Sequence, residues 1–446
     1  MLRPHHIGLV AEIEGFTELT MGCLFLTLPY FPGPSGDPRW KMPIEAMPDQ
    51  RKSSKPSALD PVLGLYGFLI EITSRCNLRC GYCPKAQPGN DEVPGRNEDM
   101  RPEVFEATKR LVGKYRPVSL NLAGTGETTF AKNWTDLCRP FLRMPGATKV
   151  LNTNLARTYD DAELDFLLGF DLLVVSLDTN SPDTLRILRS KSDLKTIVYN
   201  ILSLRAKSKA TGKKRPSIRV NCTVTTRNRS ELLGLAHLCA ELKIDHLEFS
   251  DVVELPHAVH QLGIMSTRNL PRNQRFAVLD GLMQARKVCI KNRVGFGLQA
   301  ELEQGLRDSV PAEAQPEGKC TRICTQPWIR LHLAADGQYF PCCVTEQPSL
   351  GRIDIDEDPA NSPAMRAYRE KLIKGDMPSA CRDCTNAPLG EVQELVDWIA
   401  AARRNAFSRK LVSLRWRVRR AISRAMSNVR PGNIGEEKGE PPRLGH

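Results

Sequence analysis

Short runs of β-branched and large apolar residues alternate along this chain with segments of helical periodicity. The strand-like runs are GFLIEIT (67–73), VSLNLA (118–123), KVLNTN (149–154), LLVVSLD (172–178), IRVNCTV (218–224) and HLEFSDV (246–252). Strands that alternate with helices predict βαβ units and a parallel sheet. We therefore predict an α/β fold with a partial (β/α)6 barrel, whose ligands bind at the carboxyl ends of the strands.

The predicted barrel covers residues 62–300 and is flanked by segments of different composition. Residues 1–61 show no sustained periodicity, which predicts a poorly ordered N-terminal arm. Over residues 301–392 Pro, Gly and Cys become frequent and the elements shorten, which predicts a small Cys-rich domain. Residues 393–446 are interpreted as a basic amphipathic helix followed by a polar tail.

The net charge of +12 is concentrated in the C-terminal segment. Residues 403–430 contain ten Lys and Arg residues and no acidic residue, so the rest of the chain carries only +2. Apolar residues recur three or four positions apart over 407–429, which predicts one apolar stripe on a basic helix. Such a helix could contact an anionic membrane surface, a partner or nucleic acid, or it could pack over the second domain with its charges solvated.

The 14 cysteines of the chain are unevenly placed. The chain lacks a recognisable secretory signal, which predicts reduced thiols and a cytoplasmic protein. No apolar run reaches 18 residues, so no transmembrane segment is predicted. Isolated cysteines are expected in the core, whereas the clustered ones are candidate metal ligands.

The first cysteine cluster directly follows the first predicted strand, at the edge of the sheet where ligands bind. Cys76, Cys80 and Cys83 have the spacing Cys-x3-Cys-x2-Cys. Zinc sites usually take four ligands. Three closely spaced thiolates instead suit a [4Fe–4S] cluster with one iron that lacks a protein ligand. A structural zinc loop or three incidental thiols are the alternatives.

This segment resembles the signature of the radical S-adenosylmethionine (SAM) enzymes, Cys-x3-Cys-x-aromatic-Cys, in which Tyr82 is the aromatic residue. The resemblance implies that the amino and carboxylate groups of SAM bind the open iron. It also implies reductive cleavage of SAM to methionine and a 5′-deoxyadenosyl radical, which abstracts hydrogen from an unactivated carbon. A flavodoxin-type or ferredoxin-type electron donor is expected.

Four further motifs occur in the order that the resemblance implies. LAGTGETTF (122–130) is similar to the Gly-Gly-Glu stretch that binds the SAM amino group, with Thr128 in place of the usual proline. Gly124 and Gly126 would let the backbone approach the ligand, and Glu127 would accept from the ammonium. NTNL (152–155) is similar to Thr-Asn-Gly, with Leu155 in place of the glycine, and implies a SAM contact from Asn154.

Two more candidates lie at the end of the fourth strand and shortly after it. VVSLD (174–178) is similar to the family's Ser-Leu-Asp, which implies that Ser176 contacts SAM or its ribose. Arg189 matches an arginine that often pairs with the SAM carboxylate; a surface ion pair is the alternative. Strand alternation places Asn221 on the inner face of the sheet and Cys222 against the helices.

The second cysteine cluster has the spacing Cys-x12-Gly-x4-Cys, from Cys324 to Cys342, followed by Cys381-x2-Cys384. It resembles the auxiliary-cluster domain of a radical SAM subgroup, called SPASM when it has seven cysteines and twitch when it has four. No cysteine follows Cys384, so the resemblance implies the twitch form, with one auxiliary [4Fe–4S] cluster on these four thiolates. Cys343 or Cys320 could replace a neighbouring ligand, and a zinc knuckle is the alternative.

An auxiliary cluster whose irons are all ligated can move an electron, which suits oxidation of a substrate radical. The resemblance implies a dehydrogenase or epimerase that acts on a sugar or aminocyclitol. An epimerase would need a hydrogen donor, for which Cys343 is the candidate. Modification of a ribosomally made peptide is an alternative, and a non-catalytic iron–sulfur or nucleic-acid-binding protein is another.

Overall fold

The computed structural model describes the middle of the chain and most of its C-terminal third. The described residues are 57–62, 67–86, 97–254, 259, 261–307, 319–342, 348–382, 384, 387–404 and 406. Most of the predicted N-terminal arm, Cys343 and the basic segment 407–429 lie outside these residues.

The elements follow one another in the predicted alternation. The strands are β1 (Gly67–Ile70), β2 (Arg79–Cys80), β3 (Ser119–Leu122), β4 (Thr148–Thr153), β5 (Leu172–Ser176), β6 (Arg189–Ser190), β7 (Ser217–Val224), β8 (His246–Asp251), β9 (Gly295–Leu298), β10 (Cys320–Arg322), β11 (Arg330–Leu333), β12 (Gln338–Phe340), β13 (Gly351–Arg352) and β14 (Leu389–Glu391). The α-helices are α1 (Pro102–Tyr115), α2 (Trp134–Arg143), α3 (Asp161–Leu167), α4 (Pro182–Leu188), α5 (Leu194–Thr211), α6 (Leu232–Glu241), α7 (Arg272–Lys291), α8 (Ala300–Arg307), α9 (Gln326–Ile329), α10 (Pro363–Lys374) and α11 (Ser379–Arg382).

Ten of these strands form one sheet in the order β13-β12-β11-β1-β3-β4-β5-β7-β8-β9. The pairs from β1 through β9 are all parallel, which confirms the predicted α/β fold and all six predicted strands. Strand β9 was not predicted, because its sequence GFGL lacks the β-branched residues that indicate a strand.

Strand alternation separates an apolar face from a polar face. On β7, Ile218, Val220 and Cys222 are fully or almost fully buried in the main hydrophobic core, which confirms the predicted core position of Cys222. Arg219 and Asn221 lie on the opposite face and are half-buried. The sheet therefore presents apolar residues to its helices and polar residues to its inner face.

A strand of the C-terminal region joins the main sheet. Strand β11 pairs in parallel with β1 over its whole length, from Gly67↔Arg330 to Ile70↔Leu333, and β12 and β13 follow in antiparallel order. A second core forms around Trp328, Tyr368 and Leu395. Strand β1 is thus hydrogen-bonded on both edges, once to the predicted barrel and once to the Cys-rich region.

None of the helices in the described residues combines the length and apolar character that a membrane span requires.

Candidate functional site

The loop that follows β1 brings the first three cysteines together. Strand β2 pairs with β6, so that Cys80 lies opposite Arg189, and the Cys83 amide donates to the Cys80 carbonyl at 2.9 Å. All three cysteines are half-buried. Burial raises the pKa of Cys76 to about 11 and that of Cys80 to about 12. Negative charge on Cys83 contributes to both increases, and negative charge on Cys76 contributes to that of Cys80. The three side chains are therefore neighbours at the carboxyl edge of the sheet.

The donor set fits an iron–sulfur cluster. Each thiolate of a [4Fe–4S] cluster binds a different iron, so that three thiolates leave one iron without a protein ligand. A structural zinc site usually takes four ligands. Two cations lie close by: Lys85 faces Cys76 and Cys83, and Arg189 faces Cys80. They offset the negative charge that thiolates and a cluster bring into a buried site.

The glycines of the 122–130 stretch pack against the chain itself. A Cβ atom on Gly124 would lie 2.2 Å from Glu71 Oε2, and one on Gly126 would lie 2.2 Å from the Thr73 carbonyl oxygen. Glu127 N also donates to the Arg75 carbonyl at 2.8 Å. The close approach that the sequence predicted toward a ligand is therefore, in this structure, an approach to the loop that carries the cysteines.

The Glu127 carboxylate is occupied within the protein. Oε1 accepts from Thr153 Oγ1 at 2.8 Å and from the hydroxyl and amide of Thr129, and Oε2 accepts from Asn154 N at 2.7 Å. A carboxylate offers about four acceptor positions, two on each oxygen, and Oε2 accepts only one of these bonds, so acceptance from the SAM ammonium stays a prediction. Burial raises the pKa of Glu127, and these bonds lower it in part. Glu127 ties the ends of β3 and β4 together.

Asn154 is held against the cysteine loop. Its Nδ2 donates to Asn77 Oδ1 at 2.9 Å, and its Oδ1 accepts from Ala156 N at 2.8 Å. Leu155, which replaces the family's glycine, has a φ of 48°. This left-handed conformation favours glycine, which gives a physical reason for the glycine of the family pattern.

Arg189 forms a buried ion pair rather than the surface ion pair that was the alternative, and its contact with the SAM carboxylate stays a prediction. Its Nε and a terminal nitrogen donate to the two oxygens of Asp178, at 2.8 and 3.1 Å, and Asp178 is completely buried. Asp178 also accepts from Tyr82 Oη at 2.6 Å and from Thr223 N at 2.9 Å. The other terminal nitrogen of Arg189 lies 3.8 Å from Cys80 Sγ. Sequence reasoning missed Asp178, although it is the last residue of the VVSLD motif.

The inner face of the sheet carries the remaining candidates. Ser176 lies in register with Asn221, and Asn221 with Glu248, so the three side chains form a row across β5, β7 and β8. Glu248 was not predicted; its Oε2 lies 2.9 Å from His246 Nε2. A Cβ atom on Gly297 would lie 2.1 Å from Glu248 Oε2, so the glycine-rich β9 makes room for this carboxylate.

Several buried polar atoms of this inner face make no hydrogen bond within the described residues. They include Asn121 Oδ1, Asn152 Oδ1, Glu248 Oε1 and His332 Nε2. Such atoms are costly to bury without a partner. They mark a polar interior that is suited to bind a ligand or water.

The second cysteine group surrounds a tyrosine. Tyr368 Oη lies 3.0 Å from Cys381 Sγ. Charge on Cys381, Cys342 or Cys324 raises the pKa of the Tyr368 hydroxyl. The Cys384 amide donates to the Cys381 carbonyl at 3.4 Å. Burial and these thiols raise the pKa of Tyr368.

The α/β fold and the two cysteine groups are typical of a protein that binds iron–sulfur clusters. Residues 70–214 match the model of the radical SAM superfamily, and residues 324–385 match that of the SPASM iron–sulfur cluster-binding domain. The chain therefore contains a radical SAM domain and a SPASM-type iron–sulfur cluster-binding domain. These two domains imply [4Fe–4S] clusters and SAM as cofactors.

Among curated proteins, the chain is similar to a tungsten-containing aldehyde ferredoxin oxidoreductase cofactor-modifying protein of Pyrococcus furiosus. The two are 26% identical over 203 residues, which cover 43% of this chain and 53% of the relative. It is also similar to the GTP 3′,8-cyclase of Pseudomonas entomophila, with 25% identity over 47% of this chain and 58% of the relative. The chain thus matches little more than half the length of these relatives.

Among solved structures, the fold is similar to that of Streptococcus suis SuiB bound to S-adenosylmethionine. The TM-score is 0.51 and the sequence identity is 14%, over 70% of this chain and 68% of SuiB. At this identity the likeness concerns the fold alone.

Substitution of the first three cysteines should remove one cluster and leave the other. We expect about eight irons per anaerobically reconstituted chain, and about four in a variant that lacks Cys76, Cys80 and Cys83, because a [4Fe–4S] cluster holds four. Iron and sulfide analysis with electron paramagnetic resonance would measure both. If the variant retained no iron at all, the second cysteine group would not hold an independent cluster.

Asp178→Asn should destabilise the protein strongly. The substitution leaves the buried Arg189 without its counter-charge, which typically costs about 3–5 kcal/mol. The midpoint of denaturant unfolding should fall, and the first site should lose iron. Asp183→Asn is the matched control, because Asp183 pairs with Arg186 on the surface, where its side chain is 90% exposed. Equal stability of the two variants would contradict this role of Asp178.

Proposed function

We propose that this enzyme oxidises or epimerises a secondary alcohol of a sugar or aminocyclitol. The observation that carries the proposal is the polar inner face of the sheet. Three of its buried atoms that make no hydrogen bond within the described residues are oxygen acceptors, on Asn121, Asn152 and Glu248. A substrate that satisfies them must present hydrogen-bond donors, and a ring that bears hydroxyl or ammonium groups does so. An apolar substrate would leave these atoms unpaired at a cost.

The cofactor sites would be divided between the two regions. In this proposal Cys76, Cys80 and Cys83 hold the SAM-binding cluster, and Cys324, Cys342, Cys381 and Cys384 hold the auxiliary cluster. SAM bound at the open iron would supply the 5′-deoxyadenosyl radical. Electrons for the first site would come from a flavodoxin-type or ferredoxin-type donor.

The chain's own residues would position SAM and the substrate. Ser176 and Asn221 lie side by side on the inner face, next to Glu248, so a molecule that contacts the first two is within reach of the third. Asn154 and Glu127 would hold the Gly124–Gly126 turn against the cysteine loop, which shapes the SAM pocket. Tyr82 would keep Arg189 and Asp178 in place below the first cluster.

The reaction balances with one auxiliary electron acceptor. Transfer of the carbinol hydrogen atom to the 5′-deoxyadenosyl radical would give 5′-deoxyadenosine and a carbon-centred substrate radical. Loss of the hydroxyl proton to solvent and of one electron to the auxiliary site would then give the ketone. An epimerase would instead return a hydrogen atom to the opposite face of the carbon, and Cys343 remains the candidate donor.

A deuterium-transfer experiment tests the proposed reaction. The reconstituted enzyme, SAM and a reductant are incubated with sugars and aminocyclitols that carry deuterium at the carbinol carbons. We expect deuterium in 5′-deoxyadenosine together with a ketone or an epimer, measured by mass spectrometry. Deuterium-free 5′-deoxyadenosine from every alcohol, and no change in any of them, would refute the proposed substrate class.

Glu248→Gln should distinguish an ammonium-bearing substrate from a neutral one. The variant keeps the size of the side chain and removes its charge. For an aminocyclitol we expect KM to rise about tenfold or more, because a hydrogen bond to a charged group is lost. For a neutral sugar the change should be much smaller. Asp280→Asn, on the exposed side of α7, is the control; a similar KM in the two variants with an aminocyclitol would exclude a contact with Glu248.

A further inference from the structure

The position of Tyr368 is unusual for a core tyrosine. It lies on α10, its side chain is 6% exposed, and it packs in the second core with Trp328 and Leu372. A phenylalanine would fill the same apolar space. The hydroxyl instead reaches a cysteine sulfur, with 3.0 Å between Oη and Cys381 Sγ.

The chemistry of a metal ligand decides the direction of this hydrogen bond. As free thiol and hydroxyl, either group can donate. A cysteine that binds iron does so as a thiolate, which has no proton to give. Tyr368 is then the donor, and its ordinary pKa of about 10 keeps the hydroxyl protonated at neutral pH.

We propose that Tyr368 tunes the auxiliary cluster by donating a hydrogen bond to the Cys381 thiolate, which raises the reduction potential of that cluster. Reduction adds one negative charge to the cluster and its sulfurs. A donor stabilises the more negative form more strongly, and hydrogen bonds to the sulfurs are among the factors that set these potentials. Tyr368 is therefore a positioning and tuning residue of the second site. That this helps the cluster to accept a substrate electron rests on the proposed function.

The two-cluster architecture provides an internal control. The thiols that contribute to the raised pKa of Tyr368 are Cys381, Cys342 and Cys324. The pKa values of the thiols in the first site depend instead on their own neighbours, among them Lys85 and Arg189. A change at Tyr368 should consequently shift one potential and leave the other where it is.

Tyr368→Phe in the reconstituted two-cluster enzyme is the direct test. We expect an unchanged iron content and a midpoint potential of the auxiliary cluster that is lower by ~59 mV. For one electron this shift is a tenfold decrease in the ratio of reduced to oxidised cluster at a given potential. Redox titration followed by electron paramagnetic resonance measures both clusters, and the first should not move. An unchanged auxiliary potential at full iron content would overturn the proposal.

Tyr339→Phe is the matched control. Tyr339 is also completely buried, and its hydroxyl bonds Ser362 Oγ at 2.8 Å rather than a sulfur. The Tyr339→Phe variant loses a buried hydrogen bond that does not involve a thiolate. The midpoint potential of its auxiliary cluster should therefore equal that of the wild type. An equal shift in both variants would attribute the effect to general loosening of the fold and would overturn the proposal.

A measurement that leaves Tyr368 in place covers the case in which Tyr368→Phe loses the cluster. In the enzyme that lacks Cys76, Cys80 and Cys83, only the auxiliary cluster contributes to the spectrum. After exchange into D2O, pulsed electron–nuclear spectroscopy should show one strongly coupled exchangeable deuteron at the reduced cluster. Absence of that coupling would overturn the proposal. Neither measurement uses substrate, so a shift in potential without alcohol oxidation would refute only the proposed reaction.

Discussion

The structure depends on the pairing of β1 with a parallel strand on each side. Its pairing with β3 begins the predicted barrel, and its pairing with β11 recruits the Cys-rich region to the same sheet. The loop that leaves the carboxyl end of β1 carries the first three cysteines. One short buried strand thus sets the position of the first cysteine loop relative to the region that carries the second cysteine group.

Buried charges hold that loop in place. The Arg189–Asp178 pair lies beneath Cys80, and Tyr82 and Thr223 satisfy the remaining oxygen positions of Asp178. A buried ion pair is stable only when its geometry and hydrogen bonds are nearly complete, and here they are. Glu71 has a comparable part at the end of β1: it accepts from Thr125 Oγ1 at 2.8 Å and from Ala335 N at 3.3 Å, and so connects the glycine turn with the residues that follow β11.

The inner face gives the enzyme a polar interior between its two cysteine groups. His332 on β11 shows the connection, because its Nδ1 lies 3.4 Å from the Cys342 carbonyl oxygen while its Nε2 belongs to the buried atoms of the inner face that lack a partner. Burial lowers the pKa of His332. The polar inner face therefore extends to the residues next to Cys342.

The order of strands and helices, the burial of Cys222 and the two cysteine groups could be predicted from the sequence, because each depends on local periodicity or on spacing along the chain. The same reasoning missed β9, whose sequence lacks β-branched residues, and the short helices α4 and α8. It assigned Glu127 and Arg189 to SAM but did not find their partners within the protein, Thr153, Asn154 and Asp178. The tertiary structure alone decided the pairing of β11 with β1, the packing of Gly126 on Thr73 and the contact between Tyr368 and Cys381. These contacts join segments far apart in the chain, and their partners are chosen by sheet register and by packing, which no local pattern encodes.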